Sequence, residues 1–254
     1  MPIPGRIRLS QRGNRLVTHL RQQDLSASDK AVVLARSLLR VSRLSRMVLV
    51  GRHVFFCLNA PPKVFRGLRD VVVRRAHAED LEALCSVETS DPALLRSRFD
   101  RGDPCYVGLV GHKLICHVWF HRGPSPFHED DRLMASWGLA PDTFWSYAAA
   151  TSPESRSSGI FVKVFQEALG ELFHEQRAAQ VLCLVRHDNV GSLLLHERLG
   201  FCRLGTLTSM GLIGRGPRIL IWRGTASGRR RLFARFGVKP LEVPMPPAER
   251  GHTR

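Results

Sequence analysis

Two short glycine-containing segments within residues 153–201 limit the folds open to this chain more than any other feature. The first is a polar loop, Pro153-Glu154-Ser155-Arg156-Ser157-Ser158-Gly159, which runs into an amphipathic helix pattern. The second is a helix pattern that starts at Asn189 and ends at Gly200. Residues 180–186, between them, read as a buried strand because nearly all are apolar. Helices alternating with strands in this way are typical of an α/β domain.

The first loop has the chemistry of an anion site. The start of a helix leaves amide N–H groups unpaired, and the helix dipole adds positive potential there. Gly159 lets backbone approach a pyrophosphate closely, and Arg156 offers a fork of donors suited to phosphate oxygens. The alternative is an ordinary helix start, in which Ser157 or Ser158 caps the helix and Gly159 is a turn residue.

Together, Pro153–Phe161 and Asn189–Phe201 resemble two motifs of the GCN5-related N-acetyltransferase (GNAT) family. These are the phosphate loop Pro-x-x-Arg-x-x-Gly-x-Gly/Ala and the helix Asn-x-x-Ser/Ala-x-x-x-Tyr-x-x-x-Gly-Phe. The resemblance covers roughly residues 71–222. It implies an α/β fold with a mixed, mostly antiparallel central sheet flanked by helices, and acetyl-CoA or another acyl-CoA as the acyl donor. The chain departs from the motifs at Phe161, where the family has Gly or Ala, and at His196, where it has Tyr.

The resemblance also implies which residues bind the donor. They fall on the end of a strand predicted over 143–151, on the phosphate loop and on the second helix: Ala149, Ala150, Thr151, Arg156, Ser157, Ser158, Gly159, Ile160, Phe161, Asn189 and Ser192. Small side chains at Ala148–Ala150 would let a ligand reach the strand backbone, although they would equally suit packing under a helix. Asn189 is also a favoured helix cap, and both roles can hold.

Two residues are candidates for protonating the departing thiolate. His196 aligns with the family's tyrosine and titrates near neutrality, but it could equally be a packed residue. Tyr147 is the other candidate, with a core aromatic as its alternative role. No general base is evident, so His121, Asp142, Glu129 or water remain open. His117 shares a strand face with His121, but a pair of histidines without a third ligand predicts no metal site.

The basic residues lie in the two flanks. Residues 1–70 hold fourteen Lys/Arg against three Asp/Glu, and residues 223–254 hold eight against two, whereas 71–222 is nearly neutral. We predict a basic N-terminal extension with an amphipathic helix over about 27–46 (1–65), a GNAT-like acyltransferase domain (66–222) and a basic Pro/Arg-rich tail (223–254). Within the domain we predict helices over 78–87, 91–100, 160–176 and 189–199, and a hairpin of 105–110 with 113–120.

These features favour an N-acyltransferase that moves an acyl group from acyl-CoA to an amine of a small molecule or an amino sugar. One alternative is a donor carried by an acidic acyl carrier protein, which the basic helix would suit. Another is a non-catalytic GNAT-like module that binds a membrane or nucleic acid through its basic flanks, with nucleic acid the less expected of these two partners. The six cysteines lack metal-ligand spacing and no apolar leader follows the first residue, which predicts a reducing, cytoplasmic location.

Overall fold

A nine-stranded mixed sheet organises the part of the chain that the structure describes. The computed structural model describes residues 48–63, 70–88, 90–125, 127, 135–212, 218–224, 230–235 and 241–243. Its strands are β1 (Val48–Leu58), β2 (Val72–Arg75), β3 (Cys105–Val110), β4 (Lys113–Arg122), β5 (Ala135–Trp137), β6 (Thr143–Thr151), β7 (Gln180–Arg186), β8 (Cys202–Leu212), β9 (Arg218–Gly224), β10 (Arg230–Arg235) and β11 (Leu241–Val243). The large sheet has the order β10-β9-β8-β1-β7-β6-β4-β3-β2, and β5 pairs with β11 separately.

All neighbouring strands of the large sheet are antiparallel except β6 and β7. The predicted mixed, mostly antiparallel sheet is therefore confirmed. The predicted hairpin is confirmed as β3 and β4, and its turn contains Gly111 with a φ of 58°. A positive φ favours glycine, which is why this short turn could be predicted from sequence.

Four helices cover the two faces of the sheet in the described residues: α1 (Leu81–Val87), α2 (Pro92–Asp100), α3 (Ile160–His174) and α4 (Val190–Leu199). A 3-10 turn over Ala78–Asp80 precedes α1. Side chains of a strand alternate between faces. Trp119 of β4 accordingly packs with residues of α1 and α2, whereas its neighbour Phe120 packs with residues of α3. The apolar stripe of α3, which includes Val164, Phe165, Ala168, Leu169 and Leu172, is fully buried there.

Strand β1 lies in the middle of the sheet and corrects the predicted N-terminal boundary. It pairs with β7 from His53↔Arg186 to Leu58↔Val181 and, on its other side, with β8. Phe55 and Phe56 of this strand are completely buried. Residues 48–58 are therefore a central strand and not part of an appended extension, and a division at residues 65/66 would cut through the sheet. The helix predicted over residues 27–46 lies outside the described residues.

The predicted tail also contributes strands. Strand β10 pairs with β9 at one edge of the large sheet, and β11 pairs with β5. The segment 223–254 thus includes regular structure that the sequence analysis did not assign. Its high arginine content masked the strand pattern, because strand prediction depends on apolar residues at alternating positions.

Strands β6 and β7 separate part of the way along their length. Their parallel pairing extends only from Thr143↔Gln180 to Ser146↔Cys183. Beyond that point β6 continues beside β4, and β7 continues beside β1. A bulge in β6 accompanies the separation, since the β4–β6 register shifts and Ala148 adopts a φ of 43°. The gap that opens here positions the candidate site.

Candidate functional site

A cleft of about 860 Å³ lies beside the end of β6, beyond the point where β6 and β7 separate, and extends over the first turns of α3 and along α4. Predicted donor-binding residues account for about half of its lining: Ala149, Ala150, Thr151, Arg156, Ser157, Gly159, Phe161, Asn189 and Ser192. His196 lines it as well. Residues 149–151, 156–161 and 189–196 are thus brought together from three separate elements, although they are spread over nearly fifty positions of the chain.

The start of α3 presents free backbone donors to the cleft. Gly159 is the N-cap residue, with a φ of 83°, and has no side chain to cover the first turn. Only a long bond from the Ile160 N–H to Ser158 Oγ, 3.4 Å, involves a nearby hydroxyl. Arg156 lies in the same loop and also lines the cleft. The combination of unpaired amides, the helix dipole and a guanidinium suits a phosphate group.

The end of β6 forms one wall of the cleft. Ala150 and Thr151 pair with His117 and Cys116 of β4, but the side of β6 that would face β7 has no partner strand after Ser146. Its backbone N–H and C=O groups on that side are therefore available to a ligand, as at the edge of any sheet. Ala149 is exposed, and its methyl group leaves room for a ligand to approach.

The start of α4 forms another wall. Asn189 caps the helix, since its Oδ1 accepts a hydrogen bond of 3.2 Å from the Ser192 N–H. The helix ends at Gly200, whose φ of 100° is the left-handed conformation that favours glycine. Both helix boundaries follow from local sequence, which is why the second motif could be placed on a helix before the structure was known.

His196 is buried among aromatic rings. Its ring stacks on Phe56 with 5.4 Å between centroids and also contacts Phe165 and Phe201. The imidazole Nδ1 lies 2.6 Å from the carbonyl oxygen of Ser192, so Nδ1 must carry a proton and donate it. Burial lowers the pKa of His196 to about 4. At neutral pH the other nitrogen, Nε2, is therefore an acceptor without a proton, which does not suit the predicted role of proton donor.

Tyr147 lies on the opposite face of β6 and does not line the cleft. Its hydroxyl donates a hydrogen bond of 2.6 Å to Asp103 Oδ2, and its ring packs against Phe127. The structure therefore does not bring Tyr147 and His196 into one site. Two of the predicted donor-binding residues also lie outside the lining: Ile160 packs in the core, and the Ser158 hydroxyl donates to the Ser155 carbonyl.

The large residue at the end of the phosphate loop is accommodated by packing. Phe161 stacks on Phe165 with 5.5 Å between ring centroids and packs against the main core. Because backbone amides do the binding at a helix start, this ring does not remove the donors. The departure from the family pattern at Phe161 therefore leaves the backbone amides of the helix start available.

Candidate bases occupy different environments. His121 lies on the face opposite the cleft and contacts Asp103, whereas Asp142 is exposed in the turn before β6. Glu129 lies outside the described residues. His117 is completely buried, and burial lowers its pKa to about 4. Its Nε2 lies 3.3 Å from Glu88 Oε2 without hydrogen-bond geometry.

Several residues that line the cleft were not among the site residues predicted from the sequence. They are Val87, Ser146, Ser155, Val162, Phe165, Gly191, Leu194, Leu195 and Arg198. Helical spacing could have found those of α4, because Gly191, Leu194, Leu195 and Arg198 recur at intervals of three and four residues. Val87 gave no such signal, since it reaches the cleft from α1, far from the motifs in sequence.

Comparison with solved structures finds GNAT acetyltransferases as structural neighbours, at low sequence identity. A GNAT-family acetyltransferase from Novosphingobium aromaticivorans has a TM-score of 0.49 and 15% identity, over 66% of this chain and 66% of that one. A GCN5-related N-acetyltransferase from Kribbella flavida has a TM-score of 0.48 and 15% identity, over 72% and 63%. A ribosomal-protein-alanine N-acetyltransferase from Brucella melitensis has a TM-score of 0.40 and 16% identity, over 65% and 99%.

The chain thus spans slightly less than two thirds of the length of the first two of these structures. No protein-family model and no curated protein sequence matches the chain. Among the described residues, no helix is both long enough and apolar enough to cross a bilayer. Within the same residues, no group of three or more His, Cys, Asp or Glu side chains is arranged to hold a metal ion.

Proposed function

We propose that this protein is an N-acyltransferase that moves an acetyl or other acyl group from acyl-CoA to an amine of a small molecule or amino sugar. The observation that carries the proposal is the cleft in which an unpaired strand edge meets an uncapped helix start. An acyl-CoA contains a pantetheine arm with amide groups and, next to it, a pyrophosphate. The amide groups match the unpaired edge of β6, and the pyrophosphate matches the start of α3.

The pyrophosphate would lie at the start of α3. The amides of the first helical turn bind phosphate oxygens, Gly159 permits close approach, and Arg156 contributes a second positive group. Ser157 lies beside them in the cleft and can donate a hydroxyl. Arg198 also lines the cleft, and adds positive charge for a phosphorylated ligand.

The pantetheine arm would follow the open edge of β6. Its amides can exchange hydrogen bonds with the backbone of Ala149, Ala150 and Thr151, as an added strand would. The acyl group would then lie near Ser146, where β6 and β7 separate and where the wall becomes buried. Apolar side chains of Val87, Phe165 and Leu195 line this cleft and suit a short acyl chain.

The reaction requires little covalent participation by the protein. The amine nitrogen attacks the thioester carbonyl, the C–S bond breaks, and the ammonium's surplus proton leaves as the thiolate is protonated. Positioning of donor and acceptor supplies much of the rate enhancement in such a transfer. Neutral His196 can accept a hydrogen bond within the cleft, so water or the acceptor itself is the better source for the thiol proton.

The donor-binding step can be tested by calorimetry with acetyl-CoA. Gly159→Asp places a carboxylate where the phosphates would bind, and we expect affinity to fall at least about tenfold through lost anion binding. Gly111→Asp is a matched control, because it adds the same charge at another positive-φ glycine with open space around it, in the β3–β4 turn. Unchanged affinity in folded Gly159→Asp would exclude this binding mode.

Acyl transfer itself can be tested by following CoA release with a thiol reagent across a panel of small amines and amino sugars. Donors of increasing acyl chain length would define how far the apolar part of the cleft extends. The acyl-carrier-protein alternative depends on residues 27–46, which lie outside the described residues. The alternative of a module that binds a membrane or nucleic acid depends on both basic flanks. Both alternatives remain predictions.

A further inference from the structure

Three side chains on the face of the sheet opposite the cleft form a continuous hydrogen-bonded series. Nδ1 of His121 lies 2.7 Å from Asp103 Oδ1, and Nε2 of the same ring lies 3.1 Å from Ser125 Oγ. Asp103 and His121 are both buried, whereas Ser125 is exposed to solvent. A carboxylate, an imidazole and an accessible hydroxyl in this order are the arrangement that activates a serine as a nucleophile.

Asp103 has the environment of a charged carboxylate. Burial opposes its charge, but hydrogen bonds from His121, Tyr147 and Arg101 more than offset this and hold the pKa of Asp103 below its ordinary value. The Tyr147 hydroxyl donates at 2.6 Å and the Arg101 guanidinium at 2.8 Å. An ionised Asp103 can only accept, so the contact with His121 requires a proton on Nδ1.

This tautomer leaves the lone pair of Nε2 directed toward Ser125. The Ser125 hydroxyl lies 3.1 Å from Nε2 and 3.3 Å from the Arg122 carbonyl oxygen, and it can donate its proton to either acceptor. Donation to Nε2 is the geometry for removal of the proton. The carbonyl oxygen of Ser125 lies 3.2 Å from the same nitrogen. Once Nε2 has taken up a proton, this carbonyl can accept from it and stabilise the imidazolium.

The turn that carries Ser125 is held between two strands. The Gly123 N–H donates to the Thr143 carbonyl at 2.9 Å, and Arg122 Nε donates to the Pro141 carbonyl at 3.2 Å. A Cβ at Gly123 would lie only 2.0 Å from the carbonyl oxygen of Ala140, so the turn packs closely against the segment before β6. The position of the serine relative to His121 is therefore set by backbone contacts.

We propose that Ser125 is a nucleophile that takes an acyl group from small activated esters, with His121 as its base and Asp103 as the positioning residue. Ser125 Oγ attacks the ester carbonyl while His121 Nε2 takes the hydroxyl proton. The C–O bond of the ester breaks, and that proton passes to the departing alkoxide. Water then hydrolyses the acyl-serine with His121 as base, which releases the carboxylic acid and restores the hydroxyl.

This site is independent of the acyl-CoA cleft, because it lies on the other face of β6 and shares no lining residue with it. The competing explanation is that the hydrogen bonds of His121 only hold the turn against the sheet. In that case Ser125 is no more reactive than other exposed serines. The two explanations therefore differ in a property that can be measured at a single residue.

The test uses the full-length protein, a small alkyl fluorophosphonate, which transfers phosphorus to an activated serine with loss of fluoride, and p-nitrophenyl acetate as ester. Ser125→Ala removes the nucleophile. Ser86→Ala is the matched control, since Ser86 is also exposed and its hydroxyl donates to the Ala83 carbonyl with no histidine beside it. His121→Asn removes the base while keeping a polar side chain.

We expect mass spectrometry to find one label, on Ser125, in the wild type and in Ser86→Ala. Ser125→Ala should abolish the label and the ester hydrolysis that depends on it. In His121→Asn, labelling and ester hydrolysis should fall on the order of 100-fold, the scale of general base catalysis. If His121→Asn does not fold, labelling of the native wild type is compared with labelling of the heat-denatured wild type. We expect the heat-denatured protein not to be labelled. Failure to label Ser125 in the native protein, or equal labelling without His121, would overturn the proposal, whether or not acetyl-CoA binds.

Discussion

Nδ1 of His196 donates to the carbonyl oxygen of Ser192, one turn earlier in α4, at 2.6 Å. This bond fixes the tautomer of the ring, and the aromatic rings of Phe56, Phe165 and Phe201 exclude water from it. The residue that aligns with a proton donor in the GNAT motif is therefore held as a neutral acceptor.

The first prediction follows from that geometry. His196→Phe keeps a ring in the aromatic cluster and removes only the bond to Ser192, so we expect CoA release to change by less than about tenfold, since one neutral hydrogen bond contributes on the order of 1 kcal/mol. The pH dependence between 6 and 9 should also be unchanged. A larger loss of turnover with intact acetyl-CoA affinity would restore the proton-donor role predicted from the sequence.

The second prediction concerns stability at acid pH. Because burial lowers the pKa of His196 from 6.5 to about 4, the unfolded chain binds a proton first as pH falls. Stability is therefore complete above about pH 6.5 and is lost progressively down to about pH 4, by roughly 3 kcal/mol for this group. His117 acts in the same direction and over the same range.

Urea unfolding at pH 7, 5.5 and 4.5 would measure this loss. His196→Phe should flatten the decline, whereas His112→Asn, which removes a histidine from the exposed β3–β4 turn, should not. The carboxylate of Asp103 has a lowered pKa, so its contribution is lost only below the ordinary range of an aspartate, in a separate window. An identical decline in all three proteins would contradict the assignment to His196.

The third prediction concerns the N-terminal boundary. Deletion of residues 1–65 removes β1, which separates β7 from β8 and buries Phe55 and Phe56, so we expect insoluble or unfolded protein. Deletion of residues 1–47 retains β1, and this variant should melt cooperatively and bind acetyl-CoA as the full chain does. A folded, cooperative protein lacking 1–65 would show that another strand can replace β1.

The shorter deletion also separates partner binding from catalysis. If residues 1–47 dock an acidic carrier protein or an anionic membrane, loss of binding in the deletion should resemble the effect of raising the salt concentration on the full chain. Acyl-CoA affinity should be the same in both proteins.

The fourth prediction concerns the wall formed by β6. Ala149→Leu adds bulk at an exposed position of the cleft, so acetyl-CoA affinity should weaken about tenfold or more while the melting temperature changes little. Ala93→Leu, at an exposed position of α2, is the matched control for the added surface. Equal affinities of the two variants would argue against a ligand along this strand edge.

Local signals were sufficient for much of this protein. The amphipathic stripe of α3, the Asn189 cap, the Gly159 and Gly200 positions with positive φ and the β3–β4 turn all depend on residues within a few positions of one another. Helix and strand order could therefore be predicted from local signals. The meeting of the two motifs at one site was implied only by their resemblance to the GNAT motifs.

The remaining features depend on contacts between residues that are far apart in the sequence. A strand pattern such as that of residues 48–58 says which side chains alternate but not which strands it joins, and only the tertiary structure inserts it between β7 and β8. The bulge at Ala148 breaks the alternation of β6, so that Ala149, which would otherwise share a face with Tyr147, lines the cleft while Tyr147 does not. The protonation state of His196 likewise depends on rings from β1, α3 and the segment after α4, and desolvation by distant parts of the chain is invisible to any local pattern.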